Sequence, residues 1–143
     1  MKIFVLDTDI YSLFERGHPQ IVARFLAIPS HELGITVITA EEKMRGRLAY
    51  IRTITSKHKS SAEQCLAYRW FRETIETIRD FSILDYTALA HTIFQSLQQQ
   101  KIRIGSQDLR IAAITLSVGG ILATRNQTDF GQIPDLVTED WSK

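Results

Sequence analysis

The chain has 143 residues, with 17 Lys and Arg against 16 Asp and Glu, and a formal net charge of +1. Its apolar share of 44% and charged share of 23% are those of an ordinary globular chain, and near-neutrality excludes a polybasic coat for nucleic acid or membrane, though not a local basic patch. A single cysteine, Cys65, excludes an intrachain disulfide and zinc cages built on two or more cysteines, and no apolar run approaches the roughly 20 residues of a membrane span.

In chain order, Lys2 to Leu6 is short, apolar and partly β-branched, and predicts a buried strand. Asp7-Thr8-Asp9 leads into a helix from Ile10 to about Arg16, which Gly17-His18-Pro19 ends. Pro19 opens a second helix with Ile21, Val22, Phe25 and Leu26 on its apolar face. Leu33 to Ile38 predicts a second strand. Thr39 and Glu42 stand at the spacing of a capping box, ahead of a long helix to about Ile54. Ser60-Ser61 with Glu63 opens an amphipathic helix to about Arg79. Phe81 to Leu84 is a short strand. Tyr86 to Gln100 is a helix with Leu89, Ile93, Phe94 and Leu97 on one face. Asp108 to about Val118 is a strongly apolar helix ended by Gly119-Gly120. Ile121 to Ala123 is a fourth strand, and Leu136 to Thr138 a short fifth. Cys65 reads as a small buried or half-buried residue, and Trp141 as the anchor of the C-terminal segment.

Strands alternate with helices, no repeat or linker divides residues 1–143, and the result is one α/β domain with a mainly parallel sheet of four to five strands flanked by helices. No signal-like segment opens the chain, so the expected compartment is the cytoplasm. In parallel sheets, sites lie beyond the carboxyl ends of the strands. That rule selects four acids. Asp7 follows the first strand and can equally cap the next helix. Glu42 lies near the start of its helix, where a capping box or a dipole contact would also suit it. Asp108 stands at the start of the apolar helix, with Ser106 or Asp108 itself as a cap. Asp129 follows the fourth strand and reads locally as an exposed loop acid. Together they come from four separate segments onto one expected rim. Gathering them costs Coulomb repulsion unless a cation lies between them. Hard oxygen donors without Cys or His select Mg²⁺ or Mn²⁺, ions suited to phosphoryl chemistry.

The motifs bearing these acids resemble those of PIN-domain ribonucleases. Val-Leu-Asp7-Thr-Asp9 resembles their opening strand, and Ile38-Thr-Ala-Glu-Glu42-Lys-Met-Arg-Gly46 their second motif, with Glu42 rather than Glu41 as its glutamate. Ile104-Gly-Ser-Gln-Asp108-Leu-Arg-Ile-Ala-Ala113 resembles the third motif and Ala123-Thr-Arg-Asn126-Gln-Thr-Asp129-Phe130 the fourth. The match spans essentially the whole chain and is closest to the VapC-type toxins of type II toxin–antitoxin modules. The resemblance implies a Mg²⁺-dependent endoribonuclease in which metal-activated water attacks an RNA phosphodiester, tRNA or another structured RNA being the expected substrate. Asp7, Glu42, Asp108 and Asp129 would be catalytic, Asp7 and Asp108 the direct metal ligands, and Thr8, Asp9, Thr124 and Asn126 the supporting pocket. Asn126 stands where many relatives carry an acid, and Asp9 where Asn is common; helix capping is the favoured reading of Asp9. The resemblance further implies a cognate antitoxin and a homodimer, and no membrane association.

From Lys43 to Ser60 the chain carries six Lys or Arg and no acid. Lys43, Arg45, Arg47 and Arg52 read as an RNA-contacting rail, with a solvated helix face as the plain alternative. Two other functions compete. Val-Leu-Asp7-Thr-Asp9 also resembles the nucleophile strand of haloacid-dehalogenase phosphatases, but no Gly-Asp-x-x-x-Asp motif follows. A PIN-like module that binds RNA or protein without cutting is the other.

Overall fold

The structure, a computed structural model, describes residues 2–143. Its strands are β1 (Phe4–Leu6), β2 (Leu33–Thr36), β3 (Ser82–Leu84), β4 (Ile121–Ala123) and β5 (Val137–Glu139). They form one sheet in the order β3-β2-β1-β4-β5, and every neighbouring pair is parallel. The helices are α1 (Thr8–Glu15), α2 (Pro19–Ala27), α3 (Val37–Ser56), α4 (Ser61–Ile78), α5 (Ala88–Gln99), α6 (Ser106–Ser117) and α7 (Gln127–Phe130). No helix among the described residues is long and apolar enough to cross a membrane.

The alternation of strand side chains divides the core. Val5 and Leu122 face α5 and α6, where Phe94, Leu97, Ile111, Ala112 and Ile114 complete one cluster. Leu6, Ile35 and Ala123 face the other side, against Ile10 and Tyr11 of α1, Ile21 of α2, Phe81 and Trp141. Trp141 is fully buried, as expected of a C-terminal anchor. Helices α3 and α4 carry a smaller cluster of their own around Ile51, Ile54 and Ala67.

Several sequence expectations need correction. The second strand stops at Thr36 rather than Ile38, and Thr36, not Thr39, caps α3 by accepting from the Thr39 N–H at 3.2 Å. The β-branched run through Val37-Ile38 has strand character, but pairing ends at Leu6↔Ile35 with β1 and at Thr36↔Leu84 with β3. Helix α6 begins at Ser106 with Gly105 as its cap residue, so neither Ser106 nor Asp108 caps it. Leu89 lies outside the buried face of α5 and is 57% exposed. Cys65 is exposed on α4. The segment carrying Asp129, read as loop, holds the short helix α7.

Candidate active site

The register of β1 creates the site. Leu6 pairs with Ile35 on one side and Ala123 on the other, so one step further along the strands stand Asp7, Thr36 and Thr124. All three are buried although polar. Asp7 is fixed twice: its N–H donates to the Ala123 carbonyl at 3.1 Å, and its Oδ1 accepts from the Ile10 N–H at 2.8 Å, capping α1. The helix-cap reading and the site reading of Asp7 are therefore one geometry: the cap is what aims the carboxylate.

Across from it, the first turn of α6 presents Asp108. Asp7 and Asp108 share a cavity of roughly 380 Å³ with Thr8, Asp9, Arg125, Asn126 and Phe130. Burial pushes the Asp7 carboxyl up to about 6, with Asp9 and Asp108 adding repulsion and the Thr124 hydroxyl and Ile10 N–H opposing it. Asp108 is also raised, first by burial and then by Glu42 and Asp129. Two carboxyls held above their ordinary range by burial and by neighbouring acids favour an added positive charge.

Glu42 and Asp129 approach this pair without lining the cavity. Because α3 starts at Val37, Glu42 lies in its second turn, beyond the reach of a capping box. Instead its carboxylate accepts from the Thr8 hydroxyl at 2.9 Å, and Thr8 also bonds Thr39 at 2.9 Å. Asp129 and Asn126 bond reciprocally: the Asp129 N–H donates to Asn126 Oδ1 at 3.1 Å, and Asn126 Nδ2 donates to Asp129 Oδ2 at 2.9 Å. Asn126 thus forms the cavity wall and caps α7, while Asp129 holds it from behind. Thr124 supports both sides by accepting from the Asn126 N–H at 2.9 Å.

Asp9 is not the helix cap that its type suggests, since Asp7 takes that position. Both of its carboxylate oxygens accept from Arg125, at 2.8 Å from Nε and 3.0 Å from Nη2. Arg125 is the site residue that motif reading missed; the available signal was a lone cation between Thr124 and Asn126 in an otherwise acidic site.

The basic rail is only partly present. Lys43 turns inward to Glu15 at 2.7 Å and Ser12 at 3.1 Å. Arg47 donates to Thr74 at 2.9 Å and lies over the Trp70 ring. Arg45 pairs with Glu41 of its own helix. Arg52 is exposed and makes no ion pair among the described residues.

The donor set fits a hard, hydrated divalent cation. Among the described residues, no three His, Cys, Asp or Glu side chains converge closely enough to form a ready-made metal cage. Zinc sites need such a cage, whereas Mg²⁺ keeps several waters and is commonly held by one or two carboxylates. Asp7 and Asp108 offer two carboxylates at one cavity and no nitrogen or sulfur donor.

A five-stranded parallel sheet with carboxylates collected beyond the ends of its central strands is the architecture that the PIN-domain resemblance implies. The chain is 28% identical to Ribonuclease VapC1 of Haemophilus influenzae over 143 residues, covering 99% of each. It superimposes on VapBC-1 from nontypeable Haemophilus influenzae with a TM-score of 0.76 and 24% identity, covering 99% of each chain. Against DNA-bound VapBC from Salmonella typhimurium the TM-score is 0.75 and the identity 26%, again over 99% of each chain. No protein-family model matches. The VapC-type PIN-domain resemblance read from the motifs is borne out by full-length relatives of that name and by the shared fold.

Proposed function

We propose that this chain is a Mg²⁺-dependent endoribonuclease and the toxin of a VapBC-type toxin–antitoxin pair. One observation carries the reading. Asp7 after β1 and Asp108 at the start of α6 meet at one cavity on the carboxyl rim of the sheet, in a chain similar along its length to proteins named Ribonuclease VapC. Asp7 and Asp108 would hold the ion. When bound, Mg²⁺, or Mn²⁺ in its place, supplies positive charge that favours both ionised carboxyls, lowers the pKa of water and offsets charge on a phosphodiester under attack.

The rest of the pocket serves those two carboxylates. The α1 cap and the Thr124 hydroxyl fix the direction of Asp7. Glu42, steadied by Thr8, adds negative potential beside Asp108. Asp129 acts through Asn126, whose amide forms the wall. Of the four rail residues, Arg45 and Arg52 face outward, and Arg52, which makes no ion pair among the described residues, is the one left to meet phosphates. A structured RNA is the proposed substrate, with tRNA the first to test. A cognate antitoxin, by analogy with the VapBC structures, would cover the acidic cavity in a cytoplasmic homodimer.

Purified protein should cleave RNA in Mg²⁺, lose that activity in EDTA, and regain it on addition of excess Mg²⁺ or Mn²⁺. Cleavage that persists undiminished in EDTA contradicts the assignment.

A further inference from the structure

Among the described residues, the lining of the acidic cavity holds one cation, and its placement has a use beyond holding the fold. Arg125 lines the cavity beside Asp7, Asp108 and Asn126. Asp9 grips it through both carboxylate oxygens. This fork spends the Nε–H and one Nη2–H. A guanidinium has five N–H donors, and the remaining three find no acceptor among the described residues. The pair is half-exposed, with side-chain exposures of 48% and 50%. An ion pair so exposed contributes little to stability. What the fork does provide is orientation: it holds a planar, permanently charged group at the mouth of a cavity lined by three carboxylates.

We propose that Arg125, aimed by Asp9, binds a phosphate of the nucleic-acid backbone next to the cleaved bond. This rests on the nuclease reading above. A polyanion entering a cavity lined by Asp7, Asp9 and Asp108 meets repulsion there. The uncommitted N–H groups of Arg125 are the donors in that lining with the charge and shape to take phosphate oxygens. Arg125 is thus a substrate-binding residue, and Asp9 is its positioning residue.

The test is equilibrium binding of a short, mixed-sequence single-stranded RNA across a salt series. It uses Asp7→Asn protein, so that the RNA stays intact, with and without Arg125→Gln. Removing one phosphate contact should weaken binding about tenfold at low salt. It should also reduce the slope of log affinity against log salt by about 0.7. Arg125→Lys should keep the slope but recover only part of the affinity, because an ammonium lacks the fork. Unchanged affinity and slope in Arg125→Gln overturn the inference. So does a lowered melting temperature with an unchanged slope, which marks a structural tether only. Absence of RNA binding by the Arg125-bearing protein, or binding that ignores Arg125, overturns this inference alone, whereas absence of Mg²⁺-dependent RNA cleavage by the wild type overturns the nuclease reading as well.

Discussion

Asp7→Asn is expected to stabilise the metal-free protein at neutral pH while removing RNA cleavage. The two effects share one cause. The folded carboxyl lies at about 6 against an ordinary 3.8, mainly because it is buried. Below about pH 4 both folded and unfolded chains hold the proton, and the residue costs nothing. Between about pH 4 and pH 6 the unfolded chain releases its proton while the folded chain retains it, so stability falls as pH rises. Above about pH 6 the full cost persists, on the order of 2–3 kcal/mol. Asparagine keeps an oxygen to accept from the Ile10 N–H and is itself a strong cap, so the start of α1 survives. Urea unfolding in EDTA should therefore give coincident midpoints for wild type and variant near pH 4 and a higher midpoint for Asp7→Asn at neutral pH. Equal midpoints at neutral pH contradict this picture of a buried carboxylate. On the proposed function, the same substitution removes a charge from the ion's binding pair and should slow cleavage by at least about 10²-fold.

Trp141→Ala should cause the largest loss of stability. Trp141 is the largest fully buried side chain. Its ring packs against Phe4 at 5.8 Å between centroids, and its indole N–H donates to Glu139 at 3.1 Å. Arg24 lies over the ring and pairs with Glu139 at 3.5 Å, joining α2 to the C-terminal segment. Truncation at such a site costs about 3–5 kcal/mol. The effect also reaches the active site, because β5 holds Thr124 through the Glu139 carbonyl at 2.9 Å, and Thr124 supports both Asp7 and Asn126. Chemical denaturation should show an unfolding free energy lowered by that amount with little change in slope, and Trp141→Phe should recover a substantial part. An unfolding free energy within about 1 kcal/mol of wild type would show that the C-terminal segment is not part of the folding unit.

The alternation of apolar strand and amphipathic helix was enough to read the α/β class, all five strands and the long helices. Those features depend on burial period, which a sequence displays directly. Asp7 and Asp108 were legible for a related reason: each stands at an element boundary that the topology brings to the same rim. The α3 start was not legible, because Val37 and Ile38 suit a strand, and it is the end of pairing with both neighbouring strands by Thr36 that leaves Thr36 as the cap. Arg125 was missed because its meaning depends on Asp9, which is 116 residues away in sequence. The basic stretch misled in the same way. Local charge could not show that Lys43 faces Glu15 or that Arg47 faces Thr74 and Trp70.

The most direct measurement of the central claim is the single-turnover rate of RNA cleavage by wild type, Asp7→Asn and Asp108→Asn, each purified and folded, in excess Mg²⁺. If the two carboxylates act together at one cavity, wild type cleaves and each variant alone falls to near background. Cleavage at the wild-type rate by both variants would contradict the account.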